Sequence, residues 1–177
     1  GDTDPQRTVL RAQLALDSDL PPDTGLFLDA AEHALQMLDI DLAGRFADAA
    51  AVNAPAAAAR LQAHCLVVTQ GGETADRFLA AITPVDDADR RTWALMRAVN
   101  MIWMLGRPDD AAAILAELAG DEESESDRAA RLAVAACVDV VGARCADAAE
   151  KARTALESGS LSDLNALMAV LALVMSE

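Results

Sequence analysis

The stretch NMIWMLGRPDDAA, residues 100–112, decides the fold. An apolar run from Met101 to Leu105 stops at Gly106, and Pro108 with Asp109 and Asp110 then opens an alanine-rich segment. Glycine enters the left-handed conformation that ends a helix without steric penalty. Proline suits a first helical turn, where its missing N–H leaves no bond unmade. The two aspartates favour the positive end of the new helix dipole. Gly106-Arg107-Pro108 is therefore a tight turn between two helices, and so short a link makes them antiparallel neighbours.

The same punctuation recurs along the chain. Gly71-Gly72 closes a helix from about residue 55 and opens another to about residue 82. Thr83-Pro84 breaks that one, and Asp86 with Asp89 caps a helix running to Leu105. Gly120 closes the helix begun at Pro108. The acidic run from Asp121 to Asp127 is a solvated loop, and Ser124-x-x-Asp127 within it resembles a capping box. A long helix follows to about Val141, Gly142 turns it, and another reaches Glu157. Ser158-Gly159-Ser160 breaks the chain before a last helix. Upstream, residues 25–38 and 42–53 pair across Asp39-Ile40-Asp41, and Pro21-Pro22 sets off a first helix near residues 6–18.

Ala43, Ala75, Ala111 and Ala146 stand at comparable positions early in the second helices, 32, 36 and 35 residues apart. Two helices per unit at that period is the pattern of tetratricopeptide-like repeats. A small alanine lets paired helices approach closely, and pairs that cannot bury their apolar faces alone stack on one another. The expected fold is all-α: a right-handed solenoid of about four antiparallel helix pairs plus flanking helices. Residues 1–24 form an N-terminal capping helix and Pro-rich connector, 25–160 the repeats, and 161–177 an apolar helix that is the first of a further repeat. Composition agrees. Alanine and leucine supply most of the apolar content and favour helix, while valine, isoleucine and threonine are too scattered for period-two runs.

The formal net charge of −15 repels phosphate backbones, so nucleic acid is not an expected partner of this segment. No basic amphipathic helix is present to attract a membrane surface, and the apolar stretch from Leu164 to Met175 is too short to span a bilayer. Cys65, Cys137 and Cys145 form no CxxC pair and fit a reducing cytoplasm, where buried cysteine acts as a small hydrophobe. The chain opens on Gly1 rather than methionine, as expected of a piece of a larger protein.

Catalytic patterns are missing. His33 and His64 lack a carboxylate at metal-ligand spacing, no serine sits in a nucleophile elbow, and Gly71-Gly72 has no following GKS or GKT to hold phosphate. Paired acids such as Asp86-Asp87 and Glu122-Glu123 fall in turns, where capping and solvation explain them. No enzymatic activity, cofactor or metal is expected. Binding is the remaining class. With the register taken from Gly106, first-helix positions Trp93, Met96, Asn100, Trp103 and Met104 face a concave groove, as do Arg60, His64 and Val67 one pair earlier. Glu32 and Gln36 in the first pair and Asp139 in the fourth fall on the same face. Aromatic side chains over a concave surface suit a small molecule or a peptide. The last helix is apolar on both sides, whereas a terminal repeat needs a polar outer face. It is expected to pack on a further repeat or, as a homodimer, on a second copy.

RAVNMIWMLGRPDDAAAIL, residues 97–115, resembles the helical-repeat arm of large ATP-binding LuxR-type, MalT-like transcriptional regulators of actinobacteria. The resemblance rests on Arg97, Ala98, Asn100, Trp103, Leu105, Gly106, Arg107, Asp110 and Ala111. Residues 26–50 look like the preceding repeat, and the likeness covers about residues 25–157. It implies a non-catalytic sensory domain that binds an inducer or a partner protein on its concave face. The signal would pass to a P-loop ATPase and a helix-turn-helix DNA-binding domain outside this chain. The alternative is a free-standing protein–protein interaction scaffold, whose acidic surface would favour cationic peptides.

Overall fold

A computed structural model describes residues 4–18, 23–120 and 123–177; Pro21-Pro22 and the start of the acidic run lie outside them. The described residues form ten α-helices and one π-helical turn, with no strand. They are α1 (Pro5–Leu16), α2 (Thr24–Gln36), α3 (Ile40–Ala51), α4 (Pro55–Gln70) and α5 (Gly72–Ala81), then α6 (Asp87–Asn100) running into the π turn Met101–Leu105. α7 (Pro108–Leu118), α8 (Glu125–Val141), α9 (Cys145–Glu157) and α10 (Asp163–Ser176) complete the chain. Two compact units divide it, Gly1–Ala81 and Ile82–Glu177.

In the first unit each helix packs on the next, and α2 also meets α4. Its core is built of alanines around one aromatic pair. Phe27 of α2 and Phe46 of α3 stack with centroids 6.2 Å apart, and Ala30, Ala31, Ala34, Ala43, Ala47 and Ala50 fill the rest. In the second unit α6 packs on α7 and α8, α8 on α9, and α10 on both α8 and α9. Met101, Ile102, Leu115, Val134, Cys137, Val138 and Met168 make its core. An ion pair ties alternate helices in each unit: Glu32 of α2 with Arg60 of α4, and Asp127 of α8 with Arg91 of α6.

A common register runs through the second helices. Counting from the first helical residue, Ala43, Ala75, Ala111 and Ala148 are fourth in α3, α5, α7 and α9. Each is fully buried, and each donates its N–H to the residue just before its helix: Asp39, Gly71, Arg107 and Arg144. The eighth positions, Ala47, Leu79, Leu115 and Ala152, are buried as well. Ala43, Ala75 and Ala111 are thus equivalent by position in their helices, and the residue at that position in α9 is Ala148, not the expected Ala146. Ala146 is second in its helix and exposed.

The shift comes from the α8–α9 turn. Gly142 was expected to adopt the turn conformation, yet the left-handed residue is Ala143, with φ 57°. A Cβ at Gly142 would lie 2.6 Å from an Arg144 guanidinium nitrogen, the tip of a flexible side chain that Asp139 holds over the turn. Leu38 likewise holds φ 61° in the α2–α3 turn. A non-glycine residue in this region costs about 1–2 kcal/mol. Leu38→Gly and Ala143→Gly should therefore each raise stability by about 1 kcal/mol, read as a higher urea midpoint at unchanged slope. Gly106, φ 62° with open space where a Cβ would stand, should lose a similar amount on change to alanine.

Candidate ligand-binding face

α6 does not run to Leu105 as a regular α-helix. Its last turn widens into the π turn Met101–Leu105, and the Met101 carbonyl accepts N–H groups from both Gly106 and Arg107. The extra residue changes which side chains turn inward. Met101 and Ile102 are buried, while Trp103 and Met104 keep 37% and 53% of their surface exposed. π turns of this kind are rare and frequently sit at functional sites. Upstream, Met96 is half-buried, and Trp93 and Asn100 are closed to solvent. The Trp93 indole N–H finds no acceptor among the described residues. A buried donor left so costs about 1–3 kcal/mol. Of the expected contacts in the second unit, Trp103 and Met104 stand open, Met96 is half-buried, and Trp93 and Asn100 are closed to solvent.

Arg60 and His64 belong to the first unit. Arg60 is exposed and ion-paired with Glu32, so α2 and α4 do present these groups on one face. His64 lies one turn further along α4, with Nδ1 3.0 Å from the Arg60 carbonyl oxygen. A carbonyl only accepts, so Nδ1 carries the proton and donates, leaving Nε2 directed away from the backbone. Asp139, expected on the groove in the second unit, is instead buried. Its carboxylate accepts from Arg144 Nε (2.9 Å) and from Lys151 of α9, while its carbonyl accepts the Arg144 N–H. It clamps the α8–α9 turn and faces its own second helix.

A cleft of about 430 Å³ between α3, α4 and α5 had no signal in the sequence. Arg45, Asp48, Gln62, Cys65, Thr69 and Phe78 are among its walls, and Gln62 donates to Asp48 at 2.8 Å. These residues come from three helices at no motif spacing, so only the packing assembles them. Burial pushes the Cys65 thiol up, with the neighbouring Asp48 charge adding to it. Burial raises Cys137 further, to about 11, and its thiol lies 3.5 Å from the Met168 carbonyl oxygen.

The thiolate is the reactive form. At pH 8 a thiol reagent should label exposed Cys145 quickly, and Cys65 and Cys137 only as fast as the protein opens. The folded pKa of Cys137 lies above the unfolded value of 9.0. Its contribution to stability is therefore full below pH 9 and lost as pH rises through 11. The stability difference between the parent and Cys137→Ala should narrow over that interval.

Among the described residues no group of three or more histidine, cysteine, aspartate and glutamate side chains could hold a metal ion. No helix is long and apolar enough to cross a membrane. No family model, curated protein or solved structure matches the chain.

Proposed function

We propose that this chain is a non-catalytic regulatory domain that binds an inducer or a partner protein on the face presented by its first helices. Its pairs stack within each unit as tetratricopeptide-like right-handed solenoid turns. The observation that carries the reading is the π turn. It holds a tryptophan and a methionine open to solvent next to the buried Met101 and Ile102. An exposed aromatic on a rigid support gives contact area at low entropic cost. Trp103 and Met104 are the primary contacts in the second unit, with Met96, Trp93 and Asn100 on the same helix; in the first unit, taken by itself, Arg60 and His64 are the candidate contacts.

The resemblance of residues 97–115 to LuxR-type regulators supplies the setting, in which ATP hydrolysis and DNA binding belong to domains outside this chain. A ligand acts there only through its difference in affinity between two arrangements of the repeats. The strongly acidic surface favours cationic peptides among protein partners.

Tryptophan emission tests the assignment. In Trp93→Phe, whose remaining indole is the exposed one, acrylamide should quench nearly all emission. A metabolite or cationic peptide that binds this face should shift that emission and lose affinity for Trp103→Ala by about 10-fold or more, the value of a buried aromatic contact. A titrant that binds parent and Trp103→Ala equally, with no change in emission, overturns it.

A further inference from the structure

The cleft of the first unit is separate from the face of the first helices. Gln62, one of its walls, stands on the side of α4 opposite Arg60 and His64 at about 3.6 residues per turn. A volume of about 430 Å³ suits a small molecule. Leu66 of α4 and Phe78 of α5 give the cleft half-buried apolar surface, and α3 contributes Gly44, Arg45 and Asp48.

Packing does not account for what α3 places there. Gly44 is fifth in a helix of 12 residues, and glycine is among the poorest formers of a helix interior. A Cβ at Gly44 would meet nothing within 4 Å, so no neighbouring helix demands the glycine. It leaves bare backbone on the cleft, which a ligand can approach closely. Arg45 and Asp48 lie three residues apart on one side of α3, yet they do not pair. Among the described residues the Arg45 guanidinium has no hydrogen-bond or ion-pair partner. The Asp48 carboxylate accepts only from Gln62 Nε2, at 2.8 Å.

The second unit has a groove of the same construction between α7, α8 and α9. The fifth and ninth residues of the earlier helix and the seventh of the later one line both. They are Ala112, Ala116 and Lys151 in the second unit, and Gly44, Asp48 and Phe78 in the first. In the second unit Arg144 and Lys151 close on Asp139, and about 190 Å³ is left. The first unit has no such clamp. It is open by more than twice that volume, and it carries a carboxylate where alanine suffices for packing.

We infer that the cleft binds a free amino acid with a large apolar side chain. Arg45 takes the carboxylate, Asp48 the ammonium, and Leu66 and Phe78 the side chain, with the ligand backbone against Gly44. Charge complementarity selects the zwitterion: an anion alone would meet Asp48, and a cation alone would meet Arg45.

Amide NMR titration of the whole chain tests this. The probes are L-phenylalanine with phenethylamine and 3-phenylpropanoate, and L-leucine with isopentylamine and 4-methylpentanoate. At least one amino acid should move amide signals of α3, α4 and α5, and both of its single-charge analogues should bind about 10-fold or more weakly. Gly44→Leu fills the cleft from α3 while exchanging glycine for a strong helix former, so it should unfold no earlier than the parent and bind neither amino acid. Arg45→Gln should weaken the amino acid by about 10-fold and leave the amine unchanged. Three results would overturn the inference: no shifts in these helices with either amino acid at about 10 mM, well above a weak dissociation constant of about 1 mM; an analogue that binds as tightly as its amino acid; or a Gly44→Leu variant that binds like the parent.

Discussion

Phe46→Ala is expected to destabilise the first unit by about 3–5 kcal/mol. Phe46 is fully buried against Phe27 in a core whose other buried residues are mostly alanine, with Val9, Leu42, Leu61 and Cys65 beside them. Alanines on helices already in close contact have no side chain that can swing into the vacated space. The cavity therefore stays open, and the cost falls at the high end for a large-to-small change. Phe46→Leu retains most of the volume and should cost under about 1.5 kcal/mol. Urea unfolding followed by circular dichroism reads both, and a loss below about 1 kcal/mol for the alanine variant would show that the core collapses after all. With whole-domain stabilities of about 5–15 kcal/mol, Phe46→Ala should leave the first unit marginal.

The second large effect is asymmetric. Asp139 is 4% exposed, whereas its partners Arg144 and Lys151 keep nearly half and over a third of their side-chain surfaces in water. Replacing both cations, as Arg144→Met/Lys151→Met, strands a carboxylate in the interior and should cost about 3–5 kcal/mol. Asp139→Asn leaves the cations free to swing into solvent and keeps an acceptor for the turn, so its cost should be about 1–2 kcal/mol. Thermal unfolding of the two variants side by side checks the order. An equal loss in both would mean that Asp139 is better hydrated than its burial indicates.

Much of this architecture is written locally. Gly106, Pro108 and the capping residues Asp86 and Ser124 mark helix ends because a single backbone conformation or hydrogen bond decides them, and the structure puts helix boundaries there. Ala146 is picked out in place of Ala148 because Gly142 looks like the turn residue, whereas Ala143 takes the left-handed conformation. Nothing within the turn itself reveals that Asp139 pulls Arg144 across it.

The candidate face was legible in composition and lost in detail. Trp103 can be picked out as an aromatic on a first helix. The π turn around it rests on the Gly106 N–H bonding the Met101 carbonyl five residues back, which the apolar run MIWML does not encode in its periodicity. The buried indole of Trp93 and the cleft around Cys65 and Asp48 arise only from packing between helices distant in sequence.

The repeat reading rests on one helix register, in which Ala43, Ala75, Ala111 and Ala148 are equivalent. Amide hydrogen exchange measured residue by residue tests it most directly at α9. The Ala148 N–H bonds the Arg144 carbonyl at 3.0 Å, whereas Ala146, second in the helix, belongs to the N–H groups that have no partner within it. Ala148 should exchange about 100-fold or more slowly than Ala146, matching Ala43, Ala75 and Ala111. Protection at Ala146 together with fast exchange at Ala148 would place the turn at Gly142 and contradict the register.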